Sequence, residues 1–247
     1  MPTPFMHMVA SQRLVNDPQF SHADFVQAHW GEFLLGCISP DAHHRGNLTR
    51  EDTHFFAYRP KVEPHAVPAM LTAHPNLTNG AVKDEAQRAF VAGYLSHLEM
   101  DEVWCEDMLF PEFIYGKWPS RETSHFMLHV LLGWMDARDY LGLGLSHQSA
   151  LAGATPKHWL NFFPDEALIA WRDVVASQIQ PVGTSQTVEI LGKRIPQGID
   201  GLHTILQSPE RLAAELWVQI TPEKMAAVEA TMYERMRQAV TDYLGAE

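Results

Sequence analysis

The chain is 247 residues long, 46% hydrophobic and 19% charged, which excludes disordered and collagen-like classes and allows one domain over 1–247 with a sizeable core. Eighteen basic against 30 acidic residues leave a net charge of −12, and residues 84–112 alone hold eight acids and one arginine. That balance argues against duplex nucleic acid or an anionic membrane as a partner, since phosphate contacts need Lys and Arg, and it suits a site that gathers cations.

In chain order, a Pro-rich start leads into a predicted helix from Phe5 to Val15, with His7 in its first turn. It is broken by Asn16-Asp17-Pro18. Ser21 or Asp24 caps a second helix carrying Phe25, Ala28, His29, Phe33 and Leu34, which runs out at Gly36-Cys37-Ile38-Ser39-Pro40. A residue before proline is pushed away from helix, so Asp41 is expected on a turn. His43 and His44 follow, and because adjacent side chains point apart, only one of them is expected to face any site built there. A loop at 46–52 precedes Thr53-His54-Phe55, and residues 57–83, rich in Pro, Asn, Gly and Thr, read as a surface excursion.

Asp84 to Pro111 reads as one long helix. Phe90, Tyr94, His97, Asp101, Trp104 and Met108 share a face, with Arg88, Glu99, Glu102 and Glu106 opposite. The acidic side is expected to be solvated, so that replacing Glu99 should change stability by under about 0.5 kcal/mol. The other side sets an imidazole and a carboxylate, four residues apart, in the stripe that faces the core. A metal ion satisfies such a pair, because neighbours at i and i+4 can both reach it; a buried His–Asp hydrogen bond is the alternative. Ser120 caps a helix from Arg121 to about Leu141, on which Glu122, His125, His129, Asp136 and Tyr140 line up. Residues 144–162 read as irregular, and a helix runs from Pro164 to about Gln180. Thr187 to Pro196 reads as a β-hairpin turning near Gly192, within a flap over 183–200. Ser208-Pro209 and Thr221-Pro222 open the last two helices.

Fourteen histidines are the compositional hint of metal chemistry. The two cysteines, Cys37 and Cys105, sit among apolar residues and are expected to be reduced and buried. The first residues lack a basic n-region and an apolar h-region, and no apolar run is long enough to span a bilayer, so a cytoplasmic location without an integral membrane segment is expected. Nothing in the chain indicates an oligomeric state.

His7, Gly36-Cys37-Ile38-Ser39-Pro40-Asp41, Thr53-His54-Phe55 and Gly93-Tyr94-Leu95-Ser96-His97-Leu98-Glu99-Met100-Asp101 resemble, in order and composition, the zinc-dependent phospholipase C family of bacteria and the related single-strand-specific zinc nucleases. The resemblance covers roughly residues 5–110. It implies an all-α, multi-helix bundle of the phospholipase C/nuclease type, with metal ions at the end of the bundle. It further implies one metal held by Asp41, His54, His97 and Asp101, and a second held by His7 and Asp101, with Asp101 bridging. The secreted relatives add the amine of a processed Trp, whereas this chain begins Met1-Pro2. They also have a further site built from later histidines and a carboxylate. His125, His129 and Asp136 are the residues here that would supply it, although their spacing departs from the family's His-x-x-x-Asp pair.

The function so implied is metal-dependent hydrolysis of a small-molecule phosphoester by a zinc enzyme, with one or two Zn2+ ions; a His and carboxylate set also suits iron, manganese or cobalt. A divalent ion lowers the pKa of its bound water to about 7 and so provides hydroxide at neutral pH. Asp41 or Asp101 is the carboxylate that accepts a proton, and Arg45, four residues past Asp41, is a candidate to hold a phosphate oxygen. Two alternatives stand beside this reading. One is a metalloenzyme of other chemistry on the same helical site, either non-phosphorus hydrolysis or iron-dependent oxygen chemistry. The other is a non-enzymatic helical binding module with structural His–Asp pairs.

Overall fold

The computed structural model describes residues 1–180 and 185–246, and among them every regular element is a helix. Helix α1 (Pro4–Val15) places its proline in the first turn, where the missing N–H would have no partner anyway. The single helix expected next is two, α2 (Ala23–Ala28) and α3 (Trp30–Ile38), because the His29 backbone leaves the helical region. A 3-10 turn over Ser39–Arg45 carries Asp41. Helix α4 (Arg50–His54) is short but doubly capped: Thr49 accepts from the Asp52 N–H, and the Asp52 carboxylate accepts from the Thr49 N–H.

The excursion at 57–83 is more structured than expected. It contains α5 (Ala66–Ala73) and buries Val62, Ala66, Met70 and Leu77. Helix α6 (Glu85–Trp104) is N-capped by Asp84, whose carboxylate accepts from the Ala86 and Gln87 N–H groups. It continues as a π-helical segment, Cys105–Ile114, that contains Pro111. Helix α7 (Arg121–Tyr140) is capped by Ser120 as read from the sequence. The stretch expected to be irregular holds α8 (Leu145–Gly153), followed by α9 (Asp165–Gln178).

The predicted hairpin at 187–196 is absent. Thr187–Gly192 forms α10, and α11 (Gly198–Leu206) follows it. Adjacent Leu191 and Gly192 are both buried, where a strand would turn alternate residues to the core, and Ile195 is buried on the turn that follows. Residues 183–184 of the expected flap lie outside the described residues. Ser208 and Thr221 cap α12 (Pro209–Arg211) and α13 (Pro222–Gly245), as their Ser-Pro and Thr-Pro signatures indicated.

Buried apolar residues from Phe5 to Tyr243 form one contiguous cluster, and α6 runs through it with α3 and α13 packed along its sides. The approach of α3 to α6 is set by two glycines. A Cβ on Gly36 would overlap the Phe90 carbonyl oxygen, and one on Gly93 would overlap that of Phe33. Helix α13 covers the face of α6 that was expected to be wet. Glu99 and Glu102 are buried there, and Glu102 has no exposed surface. Arg235 of α13 reaches Glu99 at 2.5 Å and Glu102 at 2.6 Å, and His65 and the Ala66 N–H complete the Glu102 shell at 2.6 and 2.9 Å. The expectation of a solvated acidic face is therefore overturned: a cationic partner from the far end of the chain makes burial of these carboxylates tolerable. Cys37 and Cys105 are both buried and free, as expected. No described helix is long and apolar enough to cross a membrane.

Candidate metal centre

Four local features bring distant side chains to one point. His97 and Asp101 are one turn apart on α6, both fully buried, with Nε2 and Oδ2 3.5 Å apart. His54, the last residue of α4, places Nε2 3.2 Å from Asp101 Oδ2 and 3.6 Å from Asp41 Oδ1. His7 on α1 stacks on His97 at 3.9 Å between ring centres and sets its Nε2 3.5 Å from Asp101 Oδ1. Hydrogen bonds outside the cluster lock this frame. The Tyr94 hydroxyl donates to the Thr53 carbonyl at 2.6 Å, and Thr53 Oγ1 donates to the Pro40 carbonyl at 3.0 Å, tying α6 to α4 and α4 to the Asp41 turn. Trp171 Nε1 donates to the Ile38 carbonyl at 2.9 Å, holding the end of α3 against α9.

The tautomers follow from the partners. His97 Nδ1 lies 2.8 Å from the Cys37 carbonyl, and His54 Nδ1 lies 3.2 Å from the Arg50 carbonyl. A carbonyl only accepts, so both Nδ1 atoms carry the proton and both Nε2 atoms present lone pairs. Those two Nε2 atoms face each other at 3.3 Å, with the Asp101 carboxylate beside them. His7 is fully buried and, among the described residues, neither of its ring nitrogens has a hydrogen-bond partner; nor does Asp101 Oδ1. Converging lone pairs and orphaned buried polar atoms are unfavourable without a cation among them. His7, His97 and Asp101 make one group whose ligating atoms all lie within 4.8 Å of one another, and Asp41, His54 and His97 make the other. An all His and carboxylate donor set fits zinc, and the carbonyls behind the His54 and His97 imidazoles are the outer support such ligands usually have.

The charges respond to this crowding. Burial lowers the His7 pKa to about 4, helped by His97 and opposed by Asp101. Burial would likewise raise the carboxyls of Asp41 and Asp101, yet the surrounding imidazoles hold both below the usual range, His54 leading at Asp41 and His97 at Asp101. Burial pulls His97 down, but Asp101 more than reverses this and raises it.

The cluster opens on a cavity of about 420 Å3. Asp41, His43, His44, Arg50, Tyr58, His129 and Arg194 line it together with an apolar wall that includes Phe5, Leu128, Leu132, Ile190 and Leu191. Both His43 and His44 border it, where only one was expected to. Against a chain charge of −12, the lining holds two arginines and one carboxylate, so the cavity favours an anion.

The remaining candidates fall differently. His125, His129 and Asp136 do not converge on a common point among the described residues. His129 Nδ1 meets the His125 carbonyl at 2.7 Å, and Asp136 is engaged by the Ser185 hydroxyl. Among the described residues they form no common centre: His125 and His129, one turn apart, meet through that hydrogen bond, and Asp136 lies about two turns further along the helix. Arg45 is exposed and does not line the cavity; Arg50 does. Arg50 went unnoticed in the sequence, although Thr49-x-x-Asp52 is a capping signal that puts Arg50 one turn before His54 on the same face.

Residues 6–104 match the family model described as zinc dependent phospholipase C, so the resemblance seen in the residues is shown over that segment. The matched segment contains His7, Asp41, His54, His97 and Asp101, and excludes His125, His129 and Asp136. No curated protein and no solved structure matches the chain.

Proposed function

We propose, with that family match as premise, that the chain is a zinc-dependent phosphoesterase acting on a small phosphodiester with an apolar substituent. The observation that carries this reading is the pair of imidazole Nε2 lone pairs held 3.3 Å apart beside Asp101, at the edge of a cavity lined by two arginines. His54, His97, Asp41 and Asp101 would hold one zinc ion, and His7 with Asp101 a second. When bound, zinc supplies an activated water and stabilises negative charge on phosphorus.

The chain's own residues divide the rest. The Asp101 side chain is sealed from solvent, whereas the Asp41 side chain is 25% exposed and lines the cavity. Asp41 is therefore the carboxylate that a water in the cavity can reach, and it serves as proton acceptor. His97 and His54 are held in one tautomer by the Cys37 and Arg50 carbonyls, which keeps their Nε2 atoms available as ligands. The arginines draw the phosphate into the cavity, and Phe5, Leu128, Leu132, Ile190 and Leu191 receive the apolar substituent.

The test is turnover of bis(p-nitrophenyl) phosphate and of a short-chain phosphatidylcholine by zinc-loaded protein. Activity lost to a chelator and restored by zinc supports the reading. Protein that carries its full metal complement and cleaves neither substrate overturns it. Freshly purified protein that holds iron and turns over in an oxygen-dependent reaction would move the site to the oxygen-chemistry alternative.

A further inference from the structure

Among the described residues, Arg50 is the arginine placed over two aromatic rings at once. Its guanidinium carbon lies 4.5 Å from the Phe56 ring centre and 4.2 Å from that of Tyr58, so the planar group is clasped by two aromatic rings. Nη1 donates to the Phe56 carbonyl at 3.3 Å and Nη2 to Asp101 Oδ2 at 3.2 Å. A guanidinium has five N–H groups, and these two bonds leave three without a protein acceptor among the described residues. The side chain is 16% exposed, and what it is exposed to is the cavity beside Asp41.

We propose that Arg50 is the oxyanion-binding residue of this site: its remaining N–H groups hold a non-bridging oxygen of a phosphoryl group seated in the cavity beside Asp41. This rests on the phosphoesterase reading above. A phosphodiester carries its charge on two non-bridging oxygens, and that charge rises as water approaches phosphorus. A fork of donors already fixed in place stabilises the developing charge without having to reorganise. Asp101 has a second part in this, because the same carboxylate that faces His54, His97 and His7 also anchors Nη2, so the metal ligands and the phosphate donor share one fixed point. Lysine would keep the charge. It would lose the planar fork, the double aromatic contact and the ability to bond Phe56, Asp101 and a phosphate oxygen at once.

The test uses zinc-loaded full-length protein and the variants Arg50→Lys and Arg50→Ala, with three readouts: zinc content by elemental analysis, inorganic phosphate binding by calorimetry, and kcat/KM on bis(p-nitrophenyl) phosphate. The Lys variant is expected to keep its zinc and bind phosphate at least about tenfold more weakly. Its kcat/KM should fall by about 100-fold or more. Added guanidinium ion should restore part of the activity of the Ala variant. Phosphate affinity within twofold of wild type in a zinc-replete Arg50 variant overturns the proposal, and so does loss of zinc from the Lys variant, which would make Arg50 a support for the metal ligands instead. The two readings fail separately. A wild-type protein that binds phosphate through Arg50 but cleaves no phosphodiester sinks the hydrolase assignment alone; an active wild type whose variants bind phosphate normally sinks the Arg50 role alone.

Discussion

Glu102 of α6 and Arg235 of α13 meet at 2.6 Å on the side of α6 turned away from the metal cluster. Glu102 is fully buried, and Arg235, His65 and the Ala66 N–H supply its donors. Removing Arg235 leaves the buried Glu102 carboxylate without its guanidinium partner, and breaking a buried pair in this way typically destabilises by about 3–5 kcal/mol. Arg235→Ala is therefore expected to lower stability by about 3 kcal/mol in urea unfolding at pH 7. A loss below about 1 kcal/mol would mean that α13 does not seal this face.

Glu99, one turn earlier, points to a pH dependence of opposite sense to ordinary acid denaturation. Burial raises its carboxyl above the usual 4.5, and the Glu102 charge adds to this against the pull of Arg235. An acid that holds its proton more tightly in the folded chain than in the unfolded one stabilises the fold when protonated. That contribution is present at low pH and is lost as pH rises through the folded value. Glu99→Gln is thus expected to be more stable than wild type at pH 7, with the gap closing as pH falls toward 4.5. Urea midpoints of the two proteins at pH 7 and pH 5 decide it; a gap that widens at pH 5 refutes the sign.

How much of this was legible follows from the range of each signal. His97 and Asp101 were readable as a pair because helical spacing is local, and the apolar residues around them fixed which way they face. Asp41 and His54 were readable only through the motif that accompanies them, since nothing local separates a ligand on a 3-10 turn from a turn residue. The burial of Glu99 and Glu102 was not readable, because their partner is 133 or more residues away on α13. Val188 and Ile190 alternate in a way that satisfies a strand pattern, whereas tertiary packing closes Thr187–Gly192 as helix and buries Ile195 on the turn that follows. His125, His129 and Asp136 lie along one helix, and helical spacing alone did not tell that His125 stays exposed while His129 and Asp136 are buried.

His97 belongs to both convergent groups, so one substitution tests both. His97→Ala is expected to lose at least one zinc equivalent relative to wild type by elemental analysis; a full complement in this variant removes the central assignment. Zinc binding favours the folded chain by about 2.7 kcal/mol at a free zinc concentration about 100 times Kd. Chelation should therefore lower the Tm of wild type and leave that of His97→Ala less changed.

The α3–α6 contact links packing to the metal cluster. Gly93 lies against the Phe33 carbonyl, and four residues further along α6 His97 takes its orientation from the Cys37 carbonyl of α3. Ala in place of a helical Gly gains about 1 kcal/mol of propensity. The added Cβ, however, would press on backbone rather than on a flexible side chain, and overpacking of that kind costs about 1–3 kcal/mol or more. The clash should win, so Gly93→Ala is expected to lower stability by roughly 1–2 kcal/mol net. If α3 and α6 separate to admit the methyl group, the Cys37 carbonyl moves away from His97 Nδ1, and zinc affinity should fall by about 10-fold or more, as it does when an outer partner of a ligand is lost. Gly80→Ala, at a position with open space around it, serves as the control. A Gly93→Ala protein with wild-type Tm and zinc affinity would show that the two helices do not approach as closely as described.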